Sequence, residues 1–263
     1  MRIHKPIFSV VFTSLAILTA PNIAHTFTLS PMSVSFNLSG TPSDMRTTKT
    51  FFLDNDSDNN IAIELSIMTR EIDIDGKETN NNGPEVEKLF QIYPPQLLLK
   101  PKEKRAVRLS WKGESNPKKE LSFRLVAEQL PVRTEKTPAE KGKAVINMLL
   151  RYMAAIYITP AGAKPEIKIT EAKATNSQNA GKISLVFENS GTAHGMLSDF
   201  QIEIRQAGAK AILKSFGLQQ INGQNLLAGR ARRFVIPWPS VIPRPWPASM
   251  PAGPIEAELK FSE

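Results

Sequence analysis

Histidine occurs three times in this chain and cysteine not at all. Histidine, cysteine and paired carboxylates carry most proton transfer, nucleophilic attack and zinc ligation near neutral pH. His4 lies in an apolar leader, His25 just beyond it, and His194 in the turn Ser190-Gly-Thr-Ala-His-Gly195 with no companion nearby in sequence. A zinc site or a serine–histidine hydrolase would rest on His194 alone. The chain is therefore expected to be no enzyme, with no metal site and no cofactor. The oxygen-rich run Asp54–Asn60 lacks the ligand spacing of a calcium loop and reads as a turn. Without cysteine there are also no disulfide staples, so hydrophobic packing must hold each domain.

Charge and the N-terminus narrow the partners. Lys and Arg number 33 against 25 Asp and Glu, a formal net charge of +8. Such an excess can draw nucleic acid or anionic membrane. Here the basic residues are scattered and aromatics make up only 7% of the chain, so no nucleic-acid partner is expected. Arg2, His4 and Lys5 precede an apolar run from Ile7 to Ala20, then Pro21-Asn-Ile-Ala24. That order describes a cleavable secretory signal over residues 1–24, with Asn22 an imperfect residue for the cut. The run is shorter than the roughly 20 residues of a spanning helix, so no stable membrane insertion is expected. Removal of the signal leaves 239 residues (263 − 24), enough for two domains or one large all-β domain.

The remaining chain reads as strands between polar turns. Ile61-Ala-Ile-Glu-Leu-Ser-Ile67 and Ala106-Val-Arg-Leu-Ser-Trp111 alternate with the period of two of half-buried strands. Asp75-Gly76, Asn80-Asn-Asn-Gly-Pro84 and Lys112-Gly113 supply turn chemistry. The fold class is all-β, built of sandwiches. A break at Thr159-Pro-Ala-Gly-Ala-Lys-Pro165 divides the chain into domains at 25–159 and 160–263, with sandwiches over 27–158 and 166–263. Between Pro237 and Pro254 seven prolines bar a central strand, since proline donates no ladder hydrogen bond.

One segment carries more apolar surface than a strand needs. Val145–Thr159 is fifteen residues long before Pro160, a span of about 50 Å if extended. Alternation gives Ile146, Met148, Leu150, Tyr152 and Ala154 one face, which is expected to be exposed on an edge strand. Leu149 and Met153 are expected to face the core. An apolar edge of this kind invites another chain's strand. Periodicity alone leaves open a central strand buried on both sides, or a helix with Met148, Leu149, Tyr152 and Ile156 on one stripe.

The order of Tyr93-Pro-Pro, Leu99-Lys-Pro and Val107-Arg-Leu-Ser110, then Glu120-Leu-Ser-Phe-Arg-Leu125 and Gln129-Leu-Pro131, then the long strand ending at Pro160, resembles the first domain of the PapD-like periplasmic pilus chaperones. Leu29-Ser-Pro-Met-Ser-Val-Ser-Phe36 fits their first strand, and Phe187-Glu-Asn-Ser-Gly-Thr-Ala-His194 resembles a strand end of their second domain. The resemblance implies two immunoglobulin-like domains in a boomerang, located in the periplasm. It implies a chaperone that binds pilus or fimbrial subunits by donor-strand complementation and delivers them to an outer-membrane usher. Ile146, Met148, Leu150, Tyr152 and Ala154 would then be the lent side chains.

Departures from the family accompany the likeness. The arginine and lysine that anchor a subunit's terminal carboxylate fall on Ser33 and Ala155, which cannot neutralise it. The acidic residue at a strand start is kept as Glu120, but its basic partner falls on Thr159. Arg151, four residues before Ala155 and about 13 Å away along the strand, is the candidate displaced anchor; a merely paired or solvated arginine is the alternative. Two rival readings are a structural subunit or adhesin of a surface fibre, which would be a shorter incomplete domain, and a secreted ligand-binding sandwich.

Overall fold

The computed structural model describes residues 27–38, 47–131, 149–177, 180–206, 209–237 and 253–261. Its first half contains β1 (Phe27–Ser30), β2 (Ser33–Leu38), β3 (Thr48–Asn55), β4 (Ile61–Thr69), β5 (Glu71–Ile72), β6 (Glu78–Thr79), β7 (Phe90–Tyr93), β8 (Gln96–Leu99), β9 (Lys104–Trp111), β10 (Leu121–Leu130) and β11 (Arg151–Pro160). The second contains β12 (Ile167–Ser177), β13 (Ala180–Asn189), β14 (Gly195–Leu197), β15 (Phe200–Gln206), β16 (Ala209–Lys214), β17 (Gln224–Leu226), β18 (Arg230–Pro237), β19 (Gly253–Pro254) and β20 (Glu256–Phe261). The described residues are all-β apart from one helical turn at Pro84–Glu87 and a 3₁₀ turn at Ser215–Gly217.

Two sheets form the first sandwich, in the orders β1-β3-β9-β7 and β2-β11-β10-β4-β8. All pairings are antiparallel except β2 with β11. Pro31 and Met32 carry the first strand across from one sheet to the other, since β1 pairs with β3 and β2 with β11. Period-two patterning does the packing. In β4, Ile61, Ile63, Leu65 and Ile67 are buried while Glu64 between them is exposed. They meet Phe36, Phe51, Leu53, Leu109 and Leu125 from the other strands. Phe90 packs edge-on against both Trp111 and Phe123, with ring centres 5.0 Å apart in each pair. Each such side chain contributes about 1.5–3 kcal/mol on burial.

The second domain has its own core, centred on Ile183, Leu185, Phe187, Ile202, Ile204 and Ile236. Its sheets run β18-β13-β12-β19 and β16-β15-β20, with β14-β17 beside them. Between the domains lie the hairpin β5–β6, whose strands are two residues each, and a small apolar contact of Ala155, Tyr157, Leu227 and Ile72.

Candidate functional site: an open strand edge beside an arginine cleft

β11 is flanked on one side by β10 along Arg151–Ile158. On the other side β2 covers it only from Ala155 to Pro160, where Ala155 N–H donates to Met32 O at 2.9 Å. Among the described residues, Arg151–Ala154 therefore have no strand on their second edge. Arg151–Pro160 is a strand and not a helix, so over these residues one alternative that periodicity left open closes.

The faces of β11 differ from the sequence-based expectation. Leu150, Tyr152 and Ala154 turn toward the first domain's core: Leu150 and Tyr152 are half-buried, Ala154 is buried, and the Tyr152 ring meets Phe27 edge-on at 5.0 Å. Leu149, expected inside, is 53% exposed, and Met153 lies on the outer face with Arg151. Alternation was assigned correctly, but its parity is set by the register with β10, in which Ala154 opposes the buried Leu125 and Met153 opposes Val126. Ile146 and Met148 lie outside the described residues, as does the polar loop of residues 133–143.

Ser33 and Ala155 are direct partners in the parallel pairing of β2 with β11. On the other side of Ala155 sits Arg124 of β10. The outer face of this sheet thus presents Arg124 one strand away from the row where a basic pair is absent. Arg124 grips Glu78 with two bonds, Nε to Oε1 at 2.7 Å and Nη2 to Oε2 at 2.6 Å. Arg70 adds Nε to Oε2 at 3.0 Å and donates from Nη1 to the buried Tyr157 hydroxyl at 2.7 Å. Asn225 of the second domain donates to the same hydroxyl at 2.6 Å. Burial opposes ionisation of Glu78, but the hydrogen bonds from Arg124 and Arg70 outweigh it and bring its pKa down from 4.5 to about 2.

A third guanidinium completes the cleft. Arg232 of β18 donates to Gln224 Oε1 at 2.8 Å, and its buried Nε has no acceptor among the described residues. Burial, and then the like charge of Arg70, lower its pKa. Its guanidinium packs against Gly76 in the β5–β6 turn, where φ is +86° and a Cβ would stand 2.9 Å from Nη2. The positive φ is what calls for glycine there, since the arginine end could shift away from a Cβ. A cavity of about 190 Å³ opens alongside, between Arg70, Lys119, Leu227 and Arg230.

Arg151, the sequence-based anchor candidate, lies further along the same outer face. Its Nε is 3.6 Å from Glu128 Oε2 and its Nη2 touches Met68 Sδ at 3.5 Å. His194, read from sequence as lacking a companion, has one: its Nδ1 lies 2.6 Å from Glu120 Oε1, and its backbone N–H donates to the same oxygen at 3.0 Å. The other Glu120 oxygen accepts from Thr159 Oγ1 at 2.8 Å, and the His194 ring stacks on Tyr157 at 3.9 Å. The buried Glu120 thus joins the end of β11 to the second domain.

Residues 42–164 match the family model described as the pili and flagellar-assembly chaperone, PapD N-terminal domain. That stretch, a little under half of the chain, is similar to the PapD-like family of pilus-assembly chaperones. That family consists of periplasmic assembly chaperones and not of enzymes. Among solved structures, the fold is similar to the class 5 fimbriae chaperone CfaA, with TM-score 0.52 and 14% identity over 90% of this chain and 100% of that one. It is also similar to a chain of the CsuC–CsuE chaperone–tip adhesion subunit pre-assembly complex from Acinetobacter baumannii, with TM-score 0.50 and 15% identity over 80% and 90%. No curated protein sequence matches the chain.

Proposed function

We propose that the chain is a PapD-like chaperone, which binds pilus or fimbrial subunits by lending them the open edge of β11, and passes them to an outer-membrane usher after export on the signal of residues 1–24. Residues 25–159 and 160–263 are its two working domains. The observation that carries the reading is the half-paired strand. Among the described residues no strand pairs with that edge from Arg151 to Ala154, where Arg124 Nη1 donates to Met153 O at 3.3 Å, and Leu150 and Tyr152 lie only half-covered at the rim of the core. A subunit lacking one strand can pair with that edge and continue the core across the boundary, as strand addition requires. Ile146 and Met148 would extend the same face into the subunit.

In this reading Arg124, seconded by Arg70, holds the subunit's terminal carboxylate in place of a basic pair at Ser33 and Ala155. Arg151 already has Glu128 and Met68 as neighbours and is not needed there. The test is periplasmic co-expression with a fimbrial subunit that is degraded on its own. The wild-type chain should rescue it as a one-to-one complex. Leu150→Asp should stay folded, because only the core's rim is touched, yet recover little subunit, because the carboxylate would be buried unpaired at the junction. Failure of the wild-type chain to protect any fimbrial subunit would overturn the reading.

A further inference from the structure

The cleft arginines are already in use. Arg124 holds Glu78 in a two-pronged grip of the kind that recognises a free carboxylate, and Arg70 binds the same group. Glu78 belongs to β5–β6, a hairpin of two-residue strands whose only side chain in a described apolar cluster is Ile72. Its attachments reach the other domain: Asp75 Oδ1 to Arg233 Nη1 at 2.7 Å, Glu71 to Arg230 at 3.6 Å, and Ile74 O accepting from Arg233 N–H. The hairpin is thus a strap across the cleft, with little buried apolar surface and a carboxylate at its base.

Geometry also says what would arrive there. A strand pairing with Arg151–Ala154 must stop where β2 takes over the edge at Ala155. Ala155 is the residue opposite Arg124. The incoming chain end therefore meets guanidinium groups, which select a terminal carboxylate over a terminal ammonium. Arg70 and Arg124 both bond to Glu78, and Arg232 lies close enough to Arg70 for its like charge to act there. The cleft has charge to spare for a second carboxylate, but its best seat is occupied.

We propose that Glu78 is the resident occupant of an exchangeable carboxylate site, and that a chain-terminal carboxylate displaces it and frees the base of the Glu71–Thr79 strap from Arg70 and Arg124 of the first domain. Two carboxylates cannot share the Arg124 fork, and like charges at that separation repel. Binding of a subunit end is thereby linked to the contact between the domains. The device rests on the lent-edge reading above, and its test separates the two.

The probe is a synthetic twelve-residue strand peptide of alternating valine and threonine ending in phenylalanine, made as the free acid and as the C-terminal amide. With the full chain, the acid should bind about 10-fold or more tightly than the amide. Backbone hydrogen exchange at residues 71–79 should speed up with the acid and not with the amide. Glu78→Gln should tighten the acid several-fold and leave the amide unchanged. Should that variant fail to fold, Asp75→Ala, which removes the strap's side-chain bond to Arg233 without touching Arg70, Arg124 or Arg232, must still tighten the acid. If neither peptide binds, the lent edge falls and the exchange with it. If both bind equally, the edge stands and the exchange is overturned. Acid preference without faster exchange at 71–79, or weaker acid binding in Glu78→Gln, overturns the exchange alone.

Discussion

The two domains share one device and differ in another. Each ends a core strand on a fully buried asparagine. Asn55 Nδ2 donates to the carbonyls of Asn59, Leu99 and Lys100, and its Oδ1 accepts from Ser57 N–H and Oγ. Asn189 Nδ2 donates to Ala193, Leu226 and Leu227, and its Oδ1 accepts from Glu166 and Gly191 N–H. Each domain also holds one glutamate with a pKa of about 2. Glu203 sits mid-strand in the paired sheet β16-β15-β20, beside Arg205, Lys210 at 3.0 Å and Lys260 at 3.4 Å. Glu78 sits on the strap. The same electrostatics thus serve a fixed sheet in one domain and a detachable segment in the other.

Breaking the shared device should have the largest effect. Asn189→Ala removes the side-chain donor from the buried Ala193 and Leu226 carbonyls, while Leu227 O keeps Arg230 N–H, and each orphaned group costs about 1–3 kcal/mol. Hydrogen exchange should show the second domain opening while the first keeps its protection. Asn55→Ala should reverse that pattern with a similar loss. Equal loss in both domains from either substitution would mean that they unfold as a unit and that the devices are not separate.

Acid separates the two glutamates. Both have folded pKa values below their ordinary 4.5. Their stabilising contribution is therefore complete above about pH 4.5 and disappears as pH falls toward 2. In Glu203 the hydrogen bond from Lys210 leads, burial opposes it, and Lys260 and Arg205 add to the lowering. Glu203→Gln should flatten the acid branch of second-domain unfolding between pH 4.5 and 2. Glu78→Gln should leave the unfolding of both sandwiches almost unchanged over that range, and instead remove the pH dependence of hydrogen exchange at residues 71–79. A matching loss of sandwich stability from Glu78→Gln would show that the strap is as structural as the sheet.

Much of this was legible in sequence because it is local. Alternation in Ile61–Ile67 and Ala106–Trp111, the turns at Asp54–Asn60 and Asp75-Gly76, and the break near Pro160 all write themselves in neighbouring residues. The parity of β11 did not, because apolar residues on both faces leave the choice to cross-strand register. The arginine cleft was equally hidden. Arg124 and Arg232 come from two strands, Glu78 from the hairpin and Arg70 from the link between β4 and β5, and the bond of Arg70 N–H to Ser122 O brings Arg70 beside β10. His194 met Glu120 for the same reason, 74 positions away. The sequence did mark the absence of a basic pair at Ser33 and Ala155 and offered Arg151 in its place, whereas Arg124, the cross-strand partner of Ala155, comes into view only with the register of β10 and β11.

The smallest expected effect is the one that decides between those arginines. Arg151 and Arg124 occupy the same outer face, but Arg151 is exposed, at 3.6 Å from the exposed Glu128, whereas Arg124 is largely buried and forked onto Glu78. An exposed pair of this kind contributes about 0–1 kcal/mol. Arg151→Ala should therefore change thermal stability by a degree or two at most and leave the acid-over-amide preference of the strand peptide intact. Arg124→Ala should erase that preference, while the amide, which relies on backbone pairing along β11, binds as before. Arg124→Lys should recover part of it, since an ammonium supplies the charge without the two-pronged fork. If instead Arg151→Ala erases the preference and Arg124→Ala does not, the incoming chain ends four residues short of Ala155, and the strand must enter the edge in a different register from the one that β2 sets.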